Sequence, residues 1–465
     1  MRRGAGGRRP RSREVVVLAA VLAAGSLAVA WPAVAQGPSL PDTLDIERAV
    51  RFAMSESPVL RTSLAATDRA SADRLAAWGA FLPTAGVNLG LRRSNSTRST
   101  YEAQEGPAAQ LPERLSFTSQ SANQGLNLNL TILDGGRRFA ELRRSAASFR
   151  GAQRRYDDRQ RAVIAAVRRE FLGALRRQEL LELTRTQIVD READLDIARR
   201  RYEIAAVERT DVLTAELNLL DARIRLLSEQ NQLQVGLRQL AVSMGLPPES
   251  GEGLVLAGEE GMPVGMPDIE SIVRTAVTTD PELAALEADR AAASASLWSA
   301  RTRYLPRITA SLSWGRSENF GADASLWQFN PGDTGSSFNI SAGWDLFDGF
   351  ARETQNAQAS AARRQAEEDY RRVRLEIERD VRGFGAQIEE LAQTLELLDQ
   401  AYAIARERLD MEQQRYRFGT GSFLELQGAI DAVQRAENSL IQRQYDYRTA
   451  WSNLAEFMEG RPGSP

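Results

Sequence analysis

Four segments of the chain alternate between apolar and polar residues. Val87, Leu89 and Leu91 alternate with Asn88, Gly90 and Arg92, and Leu126, Leu128, Leu130 and Ile132 with Asn127, Asn129 and Thr131. Ile308, Ala310, Leu312 and Trp314 alternate with Thr309, Ser311 and Ser313. Phe338, Ile340, Ala342, Trp344 and Leu346 do so with Asn339, Ser341, Gly343 and Asp345. A period of two places each set on its own face of a strand. The pattern predicts strands at about 84–98, 114–133, 307–317 and 336–347. The polar faces carry Asn, Ser, Thr and Gly rather than a second apolar layer. Trp314, Trp327 and Trp344 lie in or between the second pair. Such strands suit the wall of an outer-membrane barrel, apolar toward lipid and polar toward the lumen. Leu128, Leu130, Leu312, Trp314, Ile340 and Trp344 are then the lipid-facing residues. A soluble sheet covered by helices on one face has the same alternation, so the pattern alone leaves both open.

Each alternating pair is followed by a long segment of helical composition. No proline occurs between Pro112 and Pro247, or between Pro331 and Pro462, and both stretches are rich in Ala, Leu, Arg, Glu and Gln. Helices are expected at 134–202, 208–245, 348–416 and 422–459, with Asp134 and Asp348 as N-caps. A helix from Asp134 to Tyr202 is roughly 100 Å long. Leu181, Leu183, Ile188 and Leu195 recur with Arg and Glu between them, the pattern of a coiled coil rather than of a thick core. Gly383 and Gly385 interrupt the composition of the third helix.

The chain is also duplicated. Asp45 to Pro83 and Asp268 to Pro306, at an offset of 223, share 15 of 39 residues, including Pro58/Pro281 and the Leu-Pro pairs 82–83 and 305–306. Further on the offset is 214, aligning Asp134-Gly135 with Asp348-Gly349 and Arg201-Tyr202 with Arg415-Tyr416. Two repeats, 36–245 and 268–461, flank a Pro- and Gly-rich linker at 246–267. Each repeat supplies two short helices, two strands and two long helices. The fold class is thus mainly α, with a β-barrel part. Four strands cannot close a barrel around a lumen, since the smallest single-chain barrels have eight, and open edges in lipid are costly. If the strands are in a membrane, the barrel is shared between chains; three would supply twelve strands, with cyclic symmetry.

Composition narrows the chemistry. There is no Cys or His, and all 59 basic residues are Arg. Disulfides, Cys or His metal sites, a Ser-His-Asp triad and a Lys Schiff base are excluded. Nothing calls for a cofactor or an enzyme. Residues 1–35 read as a signal peptide: six Arg, an apolar run from Val15 to Val29, and Ala33-Val34-Ala35 before Gln36. Removing six Arg and one Glu takes the net charge from −3 to −8. An acidic exported chain is a poor partner for nucleic acid. After the signal, no stretch is apolar enough for a transmembrane helix.

With the duplicated strand ends Leu133-Asp134-Gly135-Gly136-Arg137 and Leu346-Phe347-Asp348-Gly349-Phe350, and the segments Arg201-Tyr202 to Ala215 and Arg415-Tyr416 to Ala429, the mature chain resembles the TolC-type outer-membrane efflux factors along essentially its whole length. The resemblance implies a homotrimer: a twelve-stranded barrel in the outer membrane, a helical tunnel through the periplasm, and an equatorial belt built partly from the linker. It implies a passive exit duct for a tripartite efflux pump or type I secretion system, loaded by an inner-membrane transporter through a periplasmic adaptor. The turns that meet the adaptor would be Ile204-Ala205-Ala206-Val207 and Phe418-Gly419-Thr420-Gly421. The second keeps the family glycine at Gly419; the first has Ala205 there. Asp211, Tyr416 and Glu425 match positions at the family's periplasmic mouth. Gly421 and Gly428 stand where a linking Arg and a second acid would be. Asp211 and Glu425 also suit helix N-termini, where the dipole favours carboxylates, and Tyr416 suits packing at a helix end. The alternative is a soluble periplasmic coiled-coil adaptor, whose β regions would form compact domains rather than isolated hairpins.

Overall fold

A computed structural model describes residues 43–100, 113–205, 207–258, 261–263, 265–320 and 334–458. The signal segment 1–35, Ala206 and Trp327 lie outside the described residues. The chain runs β1 (Thr43–Leu44), α1 (Ile46–Glu56), α2 (Pro58–Gly79), β2 (Thr84–Thr100), β3 (Glu113–Leu133), α3 (Arg137–Glu203) and α4 (Arg209–Ser243). A 3-10 turn at Pro248–Gly251 and β4 (Val255–Leu256) follow. The second half comprises α5 (Ile269–Thr279), α6 (Pro281–Thr302), β5 (Arg307–Phe320), β6 (Thr334–Gly343), α7 (Ala351–Arg417) and α8 (Phe423–Met458).

The same local chemistry starts the matching elements of the two halves. Asp45 Oδ1 accepts the Arg48 N–H at 2.7 Å, and Asp268 Oδ1 that of Ser271 at 3.2 Å, opening α1 and α5. Pro58 and Pro281 occupy the first turn of α2 and α6, where a missing N–H costs nothing. Asp280 adds a side-chain cap, accepting from the Glu282 and Leu283 N–H groups.

Asp134 and Asp348 stand two residues before the N-cap positions of α3 and α7. The N-caps are Gly136 and Phe350, both in the left-handed region, at φ +92° and +68°. From there Asp134 still satisfies a first-turn donor of α3, accepting the Arg138 N–H together with that of Gly136, and it pairs with the Arg138 side chain at 3.2 Å. Asp348 pairs with Arg352 at 3.1 Å in the same i,i+4 geometry. Gly135, at φ +68°, has no room for a side chain: a Cβ would stand 2.7 Å from the Thr302 carbonyl oxygen.

One antiparallel sheet has the order β2-β3-β5-β6, so the central β3–β5 pair joins the two halves. The helices below continue that order, α2 against α3, α3 against α6 and α6 against α7. Helices α3 and α7 have 67 residues each, about 100 Å. Their partners change along their length. The end of α3 remote from the strands packs against α4 and α8, and the corresponding end of α7 against α8. At the level where partners change, β1 pairs in parallel with β4, Thr43 opposite Val255 and Leu44 opposite Leu256. Gln178 of α3 holds that strand by donating to the Leu256 carbonyl at 3.0 Å and accepting its N–H at 2.9 Å.

The core is a narrow seam. On α3 the buried residues Leu181, Thr184, Leu195 and Ala198, with Arg191 between them, follow a seven-residue repeat. Gly383 and Gly385 do not break α7. Gly385 is small because Ile269 packs there, 2.5 Å from where a Cβ would stand.

Candidate functional site: the strand wall and the tunnel tip

The register sorts the sheet into two faces. Opposed rows on one face are Val87–Leu126–Trp314, Ala85–Leu128–Leu312–Phe338 and Leu130–Ala310–Ile340. The other face carries Gly86–Asn127–Ser313–Ser337, Thr84–Asn129–Ser311–Asn339 and Thr131–Thr309–Ser341. Hydroxyls pair across the polar face, Thr309 with Ser341 at 2.8 Å and Ser313 with Ser337 at 2.7 Å. The apolar face has no covering layer: Val87 is 75% exposed, Phe338 67% and Ile340 57%. Leu312 and Trp314 are exposed too, and Leu128 and Leu130 are half-buried among their row neighbours. Among the described residues no helix lies on this sheet, which removes the reason for reading the alternation as a helix-covered soluble sheet. From the Ile308–Ala342 row to Trp314 is six residues, about 20 Å along the strand. That approaches the height of the apolar band of a membrane barrel. Strands β2 and β6 are edges, each with one side unpaired among the described residues.

The fourth strand departs from its sequence pattern. It ends at Gly343, not 347, so Trp344 is beyond the strand. The indole of Trp344 donates to the Tyr304 carbonyl at 3.1 Å. Alternation continues to Leu346, but ladder hydrogen bonds, not alternation, decide where a strand stops.

At the opposite end, α3/α4 and α7/α8 each meet in a tight turn. After α7 the Gly419 N–H bonds the Tyr416 carbonyl at 3.2 Å and the Thr420 N–H bonds the Arg415 carbonyl at 2.9 Å. Gly419 is left-handed at φ +74°, the arrangement of a Schellman cap. After α3 the Ala205 N–H bonds the Tyr202 carbonyl at 2.9 Å, and Ala205 takes φ +54°. Ala205 thus adopts the glycine conformation. That conformation costs about 1–2 kcal/mol of left-handed strain. Ile204, Phe418 and Leu424 project from these turns at 75%, 82% and 81% exposure. Gly421 sits tightly, a Cβ there standing 3.0 Å from that of Arg415.

Glu425 belongs to a capping box with Ser422. Its Oε2 accepts the Ser422 N–H at 3.0 Å, and the Ser422 Oγ accepts the Glu425 N–H at 3.2 Å. Ser-x-x-Glu in the sequence carries this signal. Arg415 stands 3.8 Å from the same carboxylate. The Ser422 hydrogen bonds, then Arg415, hold the Glu425 carboxyl below its ordinary range. Asp211 lies in the first turn of α4. Burial, then the Glu208 carboxylate, push its carboxyl up, opposed by a backbone contact to Glu208. Tyr416 is buried between Phe423, at 5.8 Å between ring centroids, and the Arg201 guanidinium, 4.2 Å from its ring centre. Its hydroxyl has no partner among the described residues.

A buried polar network above the tip was not read from the sequence. Arg191 of α3 donates to Gln427 at 2.6 Å, Asp431 at 2.8 Å and Gln434 at 2.9 Å, all on α8. Asn218 of α4 donates to the same Gln427 oxygen at 2.8 Å. Burial pushes the nearby Asp194 carboxyl up to about 6, against the pull of Arg191. The usable signal was position: Arg191 falls on the heptad step between Thr184 and Ala198, where an apolar residue is expected.

An uncovered amphipathic sheet with two open edges, continued into helices of about 100 Å, defines the wall of a membrane exit duct. The comparisons agree. The outer membrane efflux protein family matches residues 50–246 and 272–459, and the chain belongs to that family. Protein CyaE of Bordetella pertussis is 29% identical over 355 residues, 74% of this chain and 69% of its own length. The alkaline protease secretion protein AprF of Pseudomonas aeruginosa is 24% identical over 321 residues, 68% of this chain and 65% of its own. Among solved structures, the outer membrane protein VceC of Vibrio cholerae superposes with a TM-score of 0.73 at 17% identity, covering 90% of this chain and 96% of that one. The CmeC outer membrane channel of Campylobacter jejuni gives 0.75 at 14% identity, covering 90% and 87%. The protein is an outer-membrane exit duct with a tunnel extending into the periplasm, and the adaptor alternative is not favoured.

Proposed function

We propose that three copies of the chain close one duct, which serves as the passive outer-membrane component of a type I secretion or tripartite efflux system. The observation that carries the trimer is the sheet: four strands, amphipathic, with the outer edges of β2 and β6 unpaired among the described residues. In lipid each unpaired backbone group costs several kcal/mol, so β2 of one copy pairs with β6 of the next. Three copies give twelve strands. The polar face lines the lumen and the apolar face meets lipid. A protein-export role is favoured by the name of one relative, an alkaline protease secretion protein. An inner-membrane transporter supplies the energy through a periplasmic adaptor, which docks on the exposed turns around Ile204 and Phe418.

The periplasmic mouth in this reading is formed by Asp211 and Glu425, with Tyr416 packed beneath them. Three copies place six carboxylates around one axis. Glu425, held ionised by its capping box and Arg415, supplies fixed negative charge, while Asp211 protonates more readily. Native mass measurement of detergent-extracted outer membranes tests the assembly; a soluble periplasmic monomer overturns it. Single-channel recording tests the mouth: multivalent cations on the periplasmic side should block the pore, and Asp211→Ala with Glu425→Ala should weaken that block. An unchanged block removes these acids from the mouth.

A further inference from the structure

We propose that the junction between strands and helices is an oxyanion-binding site, held by Arg137, Arg303 and Arg307. A cavity of about 390 Å³ opens there. Arg137 opens α3, while Arg303 follows α6 and Arg307, four residues on, opens β5, so two segments far apart in sequence bring three arginines to one cavity. Arg137 and Arg303 also line the adjoining cavity of about 640 Å³, beside Ser296 and Ser299.

Charge accounting separates these three arginines from their neighbours. Arg138 is paired with Asp134, Arg352 with Asp348 and Arg144 with Glu141. Arg137, Arg303 and Arg307 make no ion pair among the described residues, and all three are exposed. The one carboxylate of the smaller cavity without a pair among the described residues is Asp345. The site therefore keeps a surplus of two positive charges per chain, in a protein whose mature net charge is −8. Guanidinium groups present planar forks of N–H donors that match phosphate and carboxylate oxygens.

The register places Arg307. Arg307 pairs with Gly343 and shares the parity of Thr309, Ser311 and Ser313, so it lies on the polar face of the sheet. The arginines also sit on central elements, since α3 and α6 lie inside the order α2-α3-α6-α7 and β5 inside β2-β3-β5-β6. None of the three lies on an edge element, and the rest of the cavity wall includes Gly343 of the edge strand β6 and Arg352 of α7. That the polar face lines a lumen rests on the three-copy duct proposed above; oxyanion binding by the chain does not. In such a duct, nine guanidiniums form a cationic collar under the barrel, opposite in sign to the acidic mouth. The ligand class is a multivalent oxyanion, a phosphate or a carboxylate borne by molecules in transit.

The test uses the full chain in detergent, with inorganic pyrophosphate and citrate as separate probes in calorimetric titrations. Both should bind, with affinity falling as salt rises. Arg303→Gln and Arg307→Gln should each weaken binding about tenfold, one fork-to-oxyanion contact, while Asp211→Ala leaves it unchanged. Circular dichroism of each variant checks that its fold is intact; Arg303→Lys, which keeps the charge and loses the fork, should lie between. Pyrophosphate binding alone would mark phosphate as the source of the ligand, and citrate alone carboxylate. In planar bilayers the same probes should reduce current from the extracellular side. Absence of calorimetric binding to the folded wild type, or equal affinity in the Gln variants, overturns the site. Binding without any conductance would instead overturn the duct.

Discussion

Replacing Arg191 by Met should loosen the tunnel tip. The guanidinium is 6% exposed and reaches three acceptors on α8. Removing one partner of a buried ion pair typically costs about 3–5 kcal/mol, because a stranded charge stays behind. Here the stranded carboxylate, Asp431, is 48% exposed and rehydrates. The Gln427 oxygen also keeps its bond from Asn218. The expected cost is therefore smaller, about 2–3 kcal/mol, and local, since the lost contacts join α3 to α8 only near the tip. Hydrogen exchange on the assembled protein reads this directly. Amides of α8 around 427–434 should lose about 30- to 150-fold in protection, while those of β3 and β5 hardly change. Arg191→Lys keeps the charge but cannot fork to the same acceptors, and should fall between. A loss under about threefold in the Met variant would refute the claim that this network ties the two repeats together.

Three further outcomes are expected. Ala205→Gly should stabilise the first tip turn by about 1 kcal/mol by relieving φ +54°, and Gly419→Ala should destabilise the second by a similar amount; thermal scans of the two variants should move in opposite directions. Leu128→Arg or Ile340→Arg should reduce the yield of assembled protein in outer membranes, since a mid-bilayer charge on the lipid face costs about 2–4 kcal/mol, and Asn129→Arg or Ser341→Arg should be milder. The Asp194 carboxyl, pushed up to about 6 in the folded protein, binds its proton more tightly folded than unfolded. Its penalty is absent below about pH 4 and grows to roughly 3 kcal/mol as pH rises through 6. Asp194→Asn should melt with wild type at pH 4 and above it at pH 7.

Much of the architecture is written locally. Strict alternation around Leu128 and Ile340 reports a two-faced strand because side-chain direction depends only on a residue's neighbours. Proline-free runs with Asp or Ser-Pro at their starts report helices for the same reason. Repetition along the chain shows that each half has the same parts, and lipid chemistry then bounds how many halves close a wall. What the local pattern could not decide is set by contacts between distant elements. Trp344 lies beyond the strand, its indole bonded to the Tyr304 carbonyl. Ala205 accepts a left-handed backbone because the turn between two packed helices leaves no other path. Asp134 reaches the first-turn amide of Arg138 from two residues before the cap position, with Gly135 fitted against Thr302. Arg191 finds Gln427 and Asp431 only once α3 crosses to the second repeat, and Arg137, Arg303 and Arg307 converge only where the central strands hand over to the central helices. Sequence period specifies which face a residue is on; only the packed chain specifies what stands opposite that face, and the site chemistry depends on the second.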